Sequence, residues 1–347
     1  MADESYHRKR RVRYQGTHPR RFQEKYKELS PEKYPLETAK VQARGDTPAG
    51  THRPICVREI LEILNPKCGE VGVDATLGFG GHAQEILPRL LPGGRLFALD
   101  IDPVELPRTE ARLRGLGFSE EVLVVRRMNF AGLPQLLPLA GGGVDFVLAD
   151  LGVSSMQLDD PARGFTYKVE GPLDLRFNPL RGMPASALLP TLSEGALADL
   201  LVENADEPHA RAIAHALHGR PVNTTTELAE LVRRILRPAF PDETRKALQR
   251  TFQALRIAVN DEFRVLEQFL SLLPDCLNPG GRVAILSFHS GEDRRVKKAF
   301  QQGFRTGAYE RVAPDPLRPS AAERHANPRS TSGKLRWAVK ATSRRDP

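Results

Sequence analysis

Short apolar, β-rich runs at residues 71–73, 96–99, 122–125 and 144–149 are separated by helical or loop segments. Runs that lack a polar face predict strands buried on both sides, and therefore paired in parallel with helices over both faces of the sheet. Ahead of them Val57, Ile60, Leu61 and Leu64 recur at helical spacing, with Pro54 suited to a first helical turn. The pattern is that of an α/β fold, a doubly wound, mostly parallel, Rossmann-like sheet.

The alternation stops near residue 160. Leu197, Leu200 and Leu201 then share one helical face, and Ile213 and Leu217 another. Thr224-Thr225-Thr226-Glu227 supplies a capping box before Leu228, Leu231, Val232 and Ile235. Residues 160–241 therefore read as an inserted helical subdomain. Leu248, Phe252, Leu255, Val259, Phe263, Leu266 and Leu270 mark a long amphipathic helical region, after which Pro279-Gly280-Gly281 turns into a strand at 282–286. A last strand, at 335–339, is expected to close the sheet edge. The sheet domain is thus expected in two parts, 51–159 and 242–347.

Composition narrows the function. With 40% hydrophobic and 27% charged residues over 347 positions, the chain is neither disordered overall nor a membrane protein, since no apolar run reaches the roughly 20 residues that a spanning helix needs. Cys56, Cys68 and Cys276 form no CxxC pair and the nine histidines do not cluster at ligand spacing, so neither a disulfide framework nor a metal site is expected. These features place the protein in the cytoplasm. The formal charge of +8 suggests a polyanionic partner. Arg8, Lys9, Arg10, Arg11, Arg13, Arg20 and Arg21 crowd the start, where residues 1–50 show no apolar period and read as a basic, flexible extension.

The chemistry concentrates at Asp74-Ala75-Thr76-Leu77-Gly78-Phe79-Gly80-Gly81-His82, a glycine-rich turn between the first strand and a helix. Gly78 and Gly80 admit backbone angles closed to other residues and let a ligand approach the main chain, beside the free N–H groups of the helix start. Asp100 ends the second strand, where a carboxylate accepts both hydroxyls of a ribose. A nucleoside cofactor follows from this spacing, with a nicotinamide cofactor and S-adenosylmethionine both still open. Other strand ends carry Asn129-Phe130, Asp150-Leu151-Gly152-Val153-Ser154-Ser155-Met156-Gln157 and Ser287-Phe288-His289-Ser290-Gly291-Glu292-Asp293-Arg294. Phe130 suits either a core position or the face of an adenine. His82 reads, on its own, as a helix-start histidine with a structural hydrogen bond.

These segments, with Arg163-Gly164-Phe165, Leu173-Asp174-Leu175-Arg176, Thr251-Phe252-Gln253-Ala254-Leu255-Arg256 and Asn327-Pro328-Arg329, resemble in order the bacterial small-subunit ribosomal RNA cytidine N4-methyltransferase family. The resemblance implies methyl transfer from S-adenosylmethionine to the exocyclic amine of a decoding-region cytidine, on ribosomal RNA or the assembled small subunit. It carries cofactor contacts to Gly80, Gly81, His82, Asp100, Phe130, Asp150 and Gln157, beside Gly78 from the turn itself. Asp150 is the first candidate for steering the amine, with Ser154, Ser155 and His289 behind it. Arg163, Arg176, Arg256, Arg294 and Arg295 are candidate RNA contacts, and Phe288 a candidate base platform. Where the family pattern has leucine the chain has Gly291, and Thr166-Tyr167 replaces a serine–phenylalanine pair. A non-catalytic RNA-binding assembly factor and an NAD-dependent dehydrogenase are the competing functions for such a fold.

Overall fold

In the computed structural model, which describes residues 54–236 and 241–342, the sheet runs β1 (Val71–Asp74), β2 (Arg95–Asp100), β3 (Leu123–Arg127), β4 (Val144–Asp150), β5 (Leu277–Ser287), β6 (Tyr309–Val312) and β7 (Lys334–Lys340) along the chain. Their order in space is β3-β2-β1-β4-β5-β7-β6. Pairings among β1 to β5 are parallel, and β7 is antiparallel to both β5 and β6. The order reverses between β1 and β4, so a crevice forms beyond the C-terminal ends of those strands.

The strands alternate between two apolar layers even though both faces are covered. Val73, Phe97, Leu99 and Val147 face a core completed by Phe269 and Leu273, whereas Leu96, Ala98, Phe146 and Leu148 face one completed by Leu64, Ile86 and Leu90. Helix Val57–Leu64 buries Ile60 and Leu64 there; Pro54 precedes it by three residues instead of opening it, because Cys56 takes a left-handed backbone at the N-cap. Gly72 of β1 stands opposite Phe146 of β4, and a Cβ at residue 72 would lie 2.0 Å from that ring.

Residues 165–236 and 241–255 enclose a separate helical core around Phe165, Leu173, Leu201, Ile213, Leu228 and Leu255. The capping box is present: the Thr224 hydroxyl accepts from the Glu227 N–H, and the Glu227 carboxylate accepts from the Thr224 N–H. The long amphipathic region is two helices, Pro241–Asn260 and Glu262–Cys276, broken at Asp261 in a left-handed conformation (φ 53°). The first buries Leu248, Phe252 and Leu255 in the insert, and the second buries Phe269 and Leu273 against the sheet. The apolar core of the insert thus continues past residue 241.

At the far edge the sequence expectation needs correction. The strand expected at 335–339 is not the edge but lies between β5 and β6. β6 escapes a pattern search because Tyr-Glu-Arg-Val is short, and only Tyr309 is fully buried. The basic extension 1–50 lies outside the described residues.

Replacing Gly72 with alanine should destabilise the fold by roughly 1–3 kcal/mol through overpacking against Phe146. Thermal unfolding should show a lowered midpoint that Phe146→Leu partly restores in the double variant. An unchanged midpoint for Gly72→Ala would mean that the ring does not press on β1.

Candidate functional site

A cavity of about 470 Å³ sits beyond the ends of β1, β2, β4 and β5, and the segments singled out in the sequence line it together. Gly78 (φ 50°) and Gly80 (φ 77°) hold the left-handed turns after β1, and Gly80 caps helix Gly81–Leu90. A Cβ at residue 78 would meet nothing nearer than the Thr76 carbonyl at 3.9 Å, so that face of the turn is open for a ligand. Gly80 and Gly81 also have packing reasons to be glycine, against Thr109 and Pro54 respectively.

Asp100 braces this turn. One carboxylate oxygen accepts from the Gly78 N–H at 2.8 Å and the other from the Asp102 N–H at 2.9 Å. Each oxygen keeps a second lone pair for a diol. Burial pushes the Asp100 carboxyl upward, opposed by those N–H groups. Phe130 packs edge-on against Phe269 at 5.0 Å, as its core reading expects, and also lines the cavity. Gln157 is buried, taking the Ser154 N–H at 2.9 Å and giving its own amide to Asp102 at 2.7 Å, so it shapes the wall from a fixed position.

His82 is buried with Nε2 3.0 Å from the Ile55 carbonyl. A carbonyl only accepts, so the ring proton is on Nε2. Burial holds the imidazole below its ordinary value and hence neutral. Its Nδ1 faces the Asp150 carboxylate at 3.8 Å. Asp150 is held by its main chain, whose N–H donates to the Thr76 hydroxyl at 2.6 Å, while its Oδ1 is buried without a hydrogen-bond partner. Burial, and then the charge of Glu292, push its carboxyl up to about 7.

The second-rank candidates serve as helix starts. Ser154 caps helix Ser155–Asp159 through the Gln157 N–H, and His289 caps helix Ser290–Arg305 through the Glu292 N–H. Ser154, Ser155 and His289 all line the cavity. The opposite wall holds groups not singled out in the sequence. Glu262 takes two bonds from Arg256, at 2.8 and 2.9 Å, and Glu292 lies 3.1 Å from His289 Nε2 while accepting the Phe288 N–H at 2.9 Å. Burial raises the Glu292 carboxyl, but His289, Arg256 and the Phe288 N–H outweigh it and hold it below the ordinary range. Glu262 thus meets His289 and Glu292, which are three residues apart at one helix start, although it lies 27 residues before His289 in the chain. Their oxygens are committed to Arg256 and to the Phe288 N–H, which makes them an ion-paired wall.

Of the five arginines expected at RNA, Arg163 is corrected outright. It is buried, giving Nη1 to Asp102 at 2.7 Å and Nη2 to the Phe177 carbonyl at 2.8 Å, and so is a structural joint. Arg176 is tied to Asp174 and Arg256 to Glu262, while Arg294 and Arg295 meet Asp206 and Glu267 nearer the surface. Phe288 does line the cavity. Gly291 is explained by Phe263, whose ring would lie 2.5 Å from a Cβ at residue 291 and carries the Arg295 guanidinium 3.5 Å above it. Space that a leucine would fill is taken by that ring.

Between the Asp150 carboxyl's ordinary value of 3.8 and its folded value of about 7, the unfolded chain has released a proton that the folded chain retains. Stability therefore falls as pH rises through that window. Asp150→Asn removes the titration and should stabilise the cofactor-free protein at pH 8 by on the order of 2 kcal/mol, allowing for a partly solvated carboxyl, or roughly 4–8 °C. Melting curves should show the gain shrinking toward pH 4. A gain independent of pH would rule out this origin.

The open face of Gly78, the Asp100 carboxylate beside it, the Phe130 ring and the unpartnered Asp150 oxygen together fit a nucleoside cofactor with a charged, polar tail. Residues 49–341 match the model of the MraW methylase family. The protein named ribosomal RNA small subunit methyltransferase H 2 of Alkaliphilus metalliredigens is 54% identical over 350 residues, covering 98% of this chain and all of that one. Ribosomal RNA small subunit methyltransferase H 1 of Lachnoclostridium phytofermentans is 52% identical, over 96% of this chain and 93% of its own. Among solved structures, a SAM-dependent O-methyltransferase of Thermotoga maritima is similar at 11% identity and a TM-score of 0.38, over 84% of this chain and 66% of that one. The chain belongs to the MraW methylase family and is an S-adenosylmethionine-dependent methyltransferase.

Proposed function

We infer that this enzyme methylates the exocyclic N4 amine of a decoding-region cytidine in small-subunit ribosomal RNA, acting in the cytoplasm on the RNA or on the assembled subunit. The observation that carries the reading is Asp150, an acceptor with one oxygen unpartnered at the meeting point of the cofactor turn and the Phe288–His289 wall. The names of the relatives supply the RNA class.

S-adenosylmethionine, when bound, supplies a strongly electrophilic methyl group on sulfur. Gly78, Gly80, Gly81, Asp100 and Phe130 would hold it, with His82 and Gln157 setting the shape of the pocket. Cytosine N4 is a weak nucleophile because its lone pair is delocalised into the ring. Orientation therefore supplies most of the rate, and an acceptor for the amine protons adds to it. Asp150, as carboxylate, accepts an amine N–H and takes the proton that the methylated nitrogen sheds. Ser154, Ser155 and His289 border the same space, and Phe288 offers a face for the base. The target base must leave its stack to enter, so the cleft between sheet and insert is its route. Family membership excludes the dehydrogenase, and an unpartnered acceptor in the cavity favours catalysis over a purely architectural role.

Mass mapping of small-subunit RNA from cells with and without the protein should show one methyl missing from a cytidine amine; an identical map would sink the target assignment. With saturating cofactor, Asp150→Ala should lose most methyl transfer while RNA affinity barely changes, and wild-type turnover in that variant would remove Asp150 from the steering role. Asp100→Ala should weaken cofactor binding in calorimetry by roughly 1.5–3 kcal/mol, about ten- to a hundred-fold, since it removes charge-assisted bonds and also frees the Gly78 N–H. Unchanged affinity in a folded variant would move the ribose elsewhere.

A further inference from the structure

The glycine turn at residues 78–80 is gripped by the helix Glu105–Gly115, which follows β2. Thr109, Arg112 and Leu113 share one face of this helix, and none of the three lines the cavity. A Cβ at residue 80 would lie 3.0 Å from the Thr109 methyl, 3.1 Å from Leu113 and 3.2 Å from an Arg112 nitrogen, so helix and turn are in contact. The buried Thr109 hydroxyl donates to the Gly78 carbonyl at 2.7 Å. Arg112 donates to the Phe79 carbonyl through one nitrogen and to the Gln84 side chain at 2.9 Å through another, with its guanidinium 4.1 Å from the centre of the Phe79 ring. Burial lowers that guanidinium to about 10, which leaves it charged at neutral pH and its bond to the carbonyl charge-assisted.

These bonds act where the chain restrains itself least. Without a Cβ at Gly78 and Gly80 the peptide planes between them rotate more freely than elsewhere, and a ligand that needs one orientation has to order them. The planes are held from outside or across the turn instead: the Gly78 N–H by Asp100 at 2.8 Å, the Gly78 carbonyl by Thr109, the Phe79 carbonyl by Arg112, and the Gly80 N–H by the Leu77 carbonyl at 2.6 Å. One donor is left over. In a planar trans peptide the N–H projects opposite to the carbonyl, so fixing the Gly78 carbonyl on Thr109 turns the Phe79 N–H away from the helix. That N–H has no hydrogen-bond partner among the described residues, and Gly78, Phe79 and Gly80 all line the cavity.

We propose that Thr109 and Arg112 are positioning residues for the cofactor: they fix the 78–79 and 79–80 peptides so that the Phe79 N–H is presented to an acceptor atom of S-adenosylmethionine. Both act through the main chain of the turn. Every strong acceptor of S-adenosylmethionine, on the carboxylate, the ribose and the adenine, is also present in S-adenosylhomocysteine, so the two ligands depend on this pair alike. The two parts of the Thr109 side chain do different things, the methyl packing beside Gly80 and the hydroxyl holding the Gly78 carbonyl. Valine keeps the first and serine the second.

The inference rests on the cofactor assignment and not on the RNA target, and its test needs no RNA. Calorimetric titration of the full-length protein with S-adenosylmethionine and with S-adenosylhomocysteine should show both bound about three- to ten-fold more weakly by Thr109→Val, and with near wild-type affinity by Thr109→Ser. Arg112→Met, which keeps an apolar chain on the Phe79 ring without its donors, should weaken both by about ten-fold. A contact that served the fold alone would lower the melting midpoints of the valine and serine variants without separating their affinities. Exchange of the Phe79 amide proton, followed in protein carrying isotope-labelled phenylalanine, should slow when cofactor is added to the wild type, and slow less in Thr109→Val. Wild-type affinity in Thr109→Val, a loss in Thr109→Ser as large as in Thr109→Val, or a Phe79 amide whose exchange the cofactor leaves unchanged would overturn the proposal. Should Thr109→Val fail to fold, Arg112→Met and the wild-type exchange still decide. The expected affinities without methyl transfer to ribosomal RNA would count against the RNA target alone.

Discussion

The buried carboxylate of Asp102 ties the two cores together. It follows β2 and accepts from the Gln157 amide and from Arg163, both at 2.7 Å, while Arg163 reaches on to the Phe177 carbonyl. One acid thereby fixes the loop after β2, the helix after β4 and the entry to the insert. A buried ion pair of this kind is weak evidence for net stability, because desolvation offsets much of the attraction; removing one partner, however, leaves an uncompensated charge and costs about 3–5 kcal/mol. Its structural value is specificity of arrangement. The Gln157 side of the cavity keeps its shape only while Asp102 holds both partners.

The site works through a division of labour among carboxyls that sequence treats as equivalent. Asp100 sits among backbone N–H groups and serves the turn, Asp102 sits between Arg163 and Gln157 and serves the joint, and of these three only Asp150 retains an oxygen without a hydrogen-bond partner. Environment, not residue type, assigns these roles. Glu292 shows the same rule from the other side, since His289, Arg256 and the Phe288 N–H hold it below the ordinary carboxylate range, whereas burial first and then the charge of Glu292 raise Asp150.

Local signals made much of this legible. Strands β1 to β4, the turn at Gly78 and Gly80, Asp100 and the Thr224 cap each depend on residues close in the chain, and all were readable from spacing. What escaped depends on contacts between distant segments. Arg163 looks like any basic residue until Asp102, 61 positions away, encloses it. Glu262 and Glu292 become part of the wall only when helices on either side of β5 converge. The break at Asp261 escaped because apolar spacing continues across it, while the face it presents changes from one core to the other. Gly291 looked like a lost side chain, and is intelligible only once Phe263 is seen to occupy the space.

That break at Asp261 has a mechanical meaning. Arg256 belongs to the last turns of the helix that packs into the insert, and Glu262 to the first turn of the helix that packs on the sheet. Their paired bonds of 2.8 and 2.9 Å span the corner like a clasp, and the same two side chains line the cavity. Swinging one core against the other at this corner would pull on the clasp, so the angle between the two helices and the shape of the pocket's far wall are coupled.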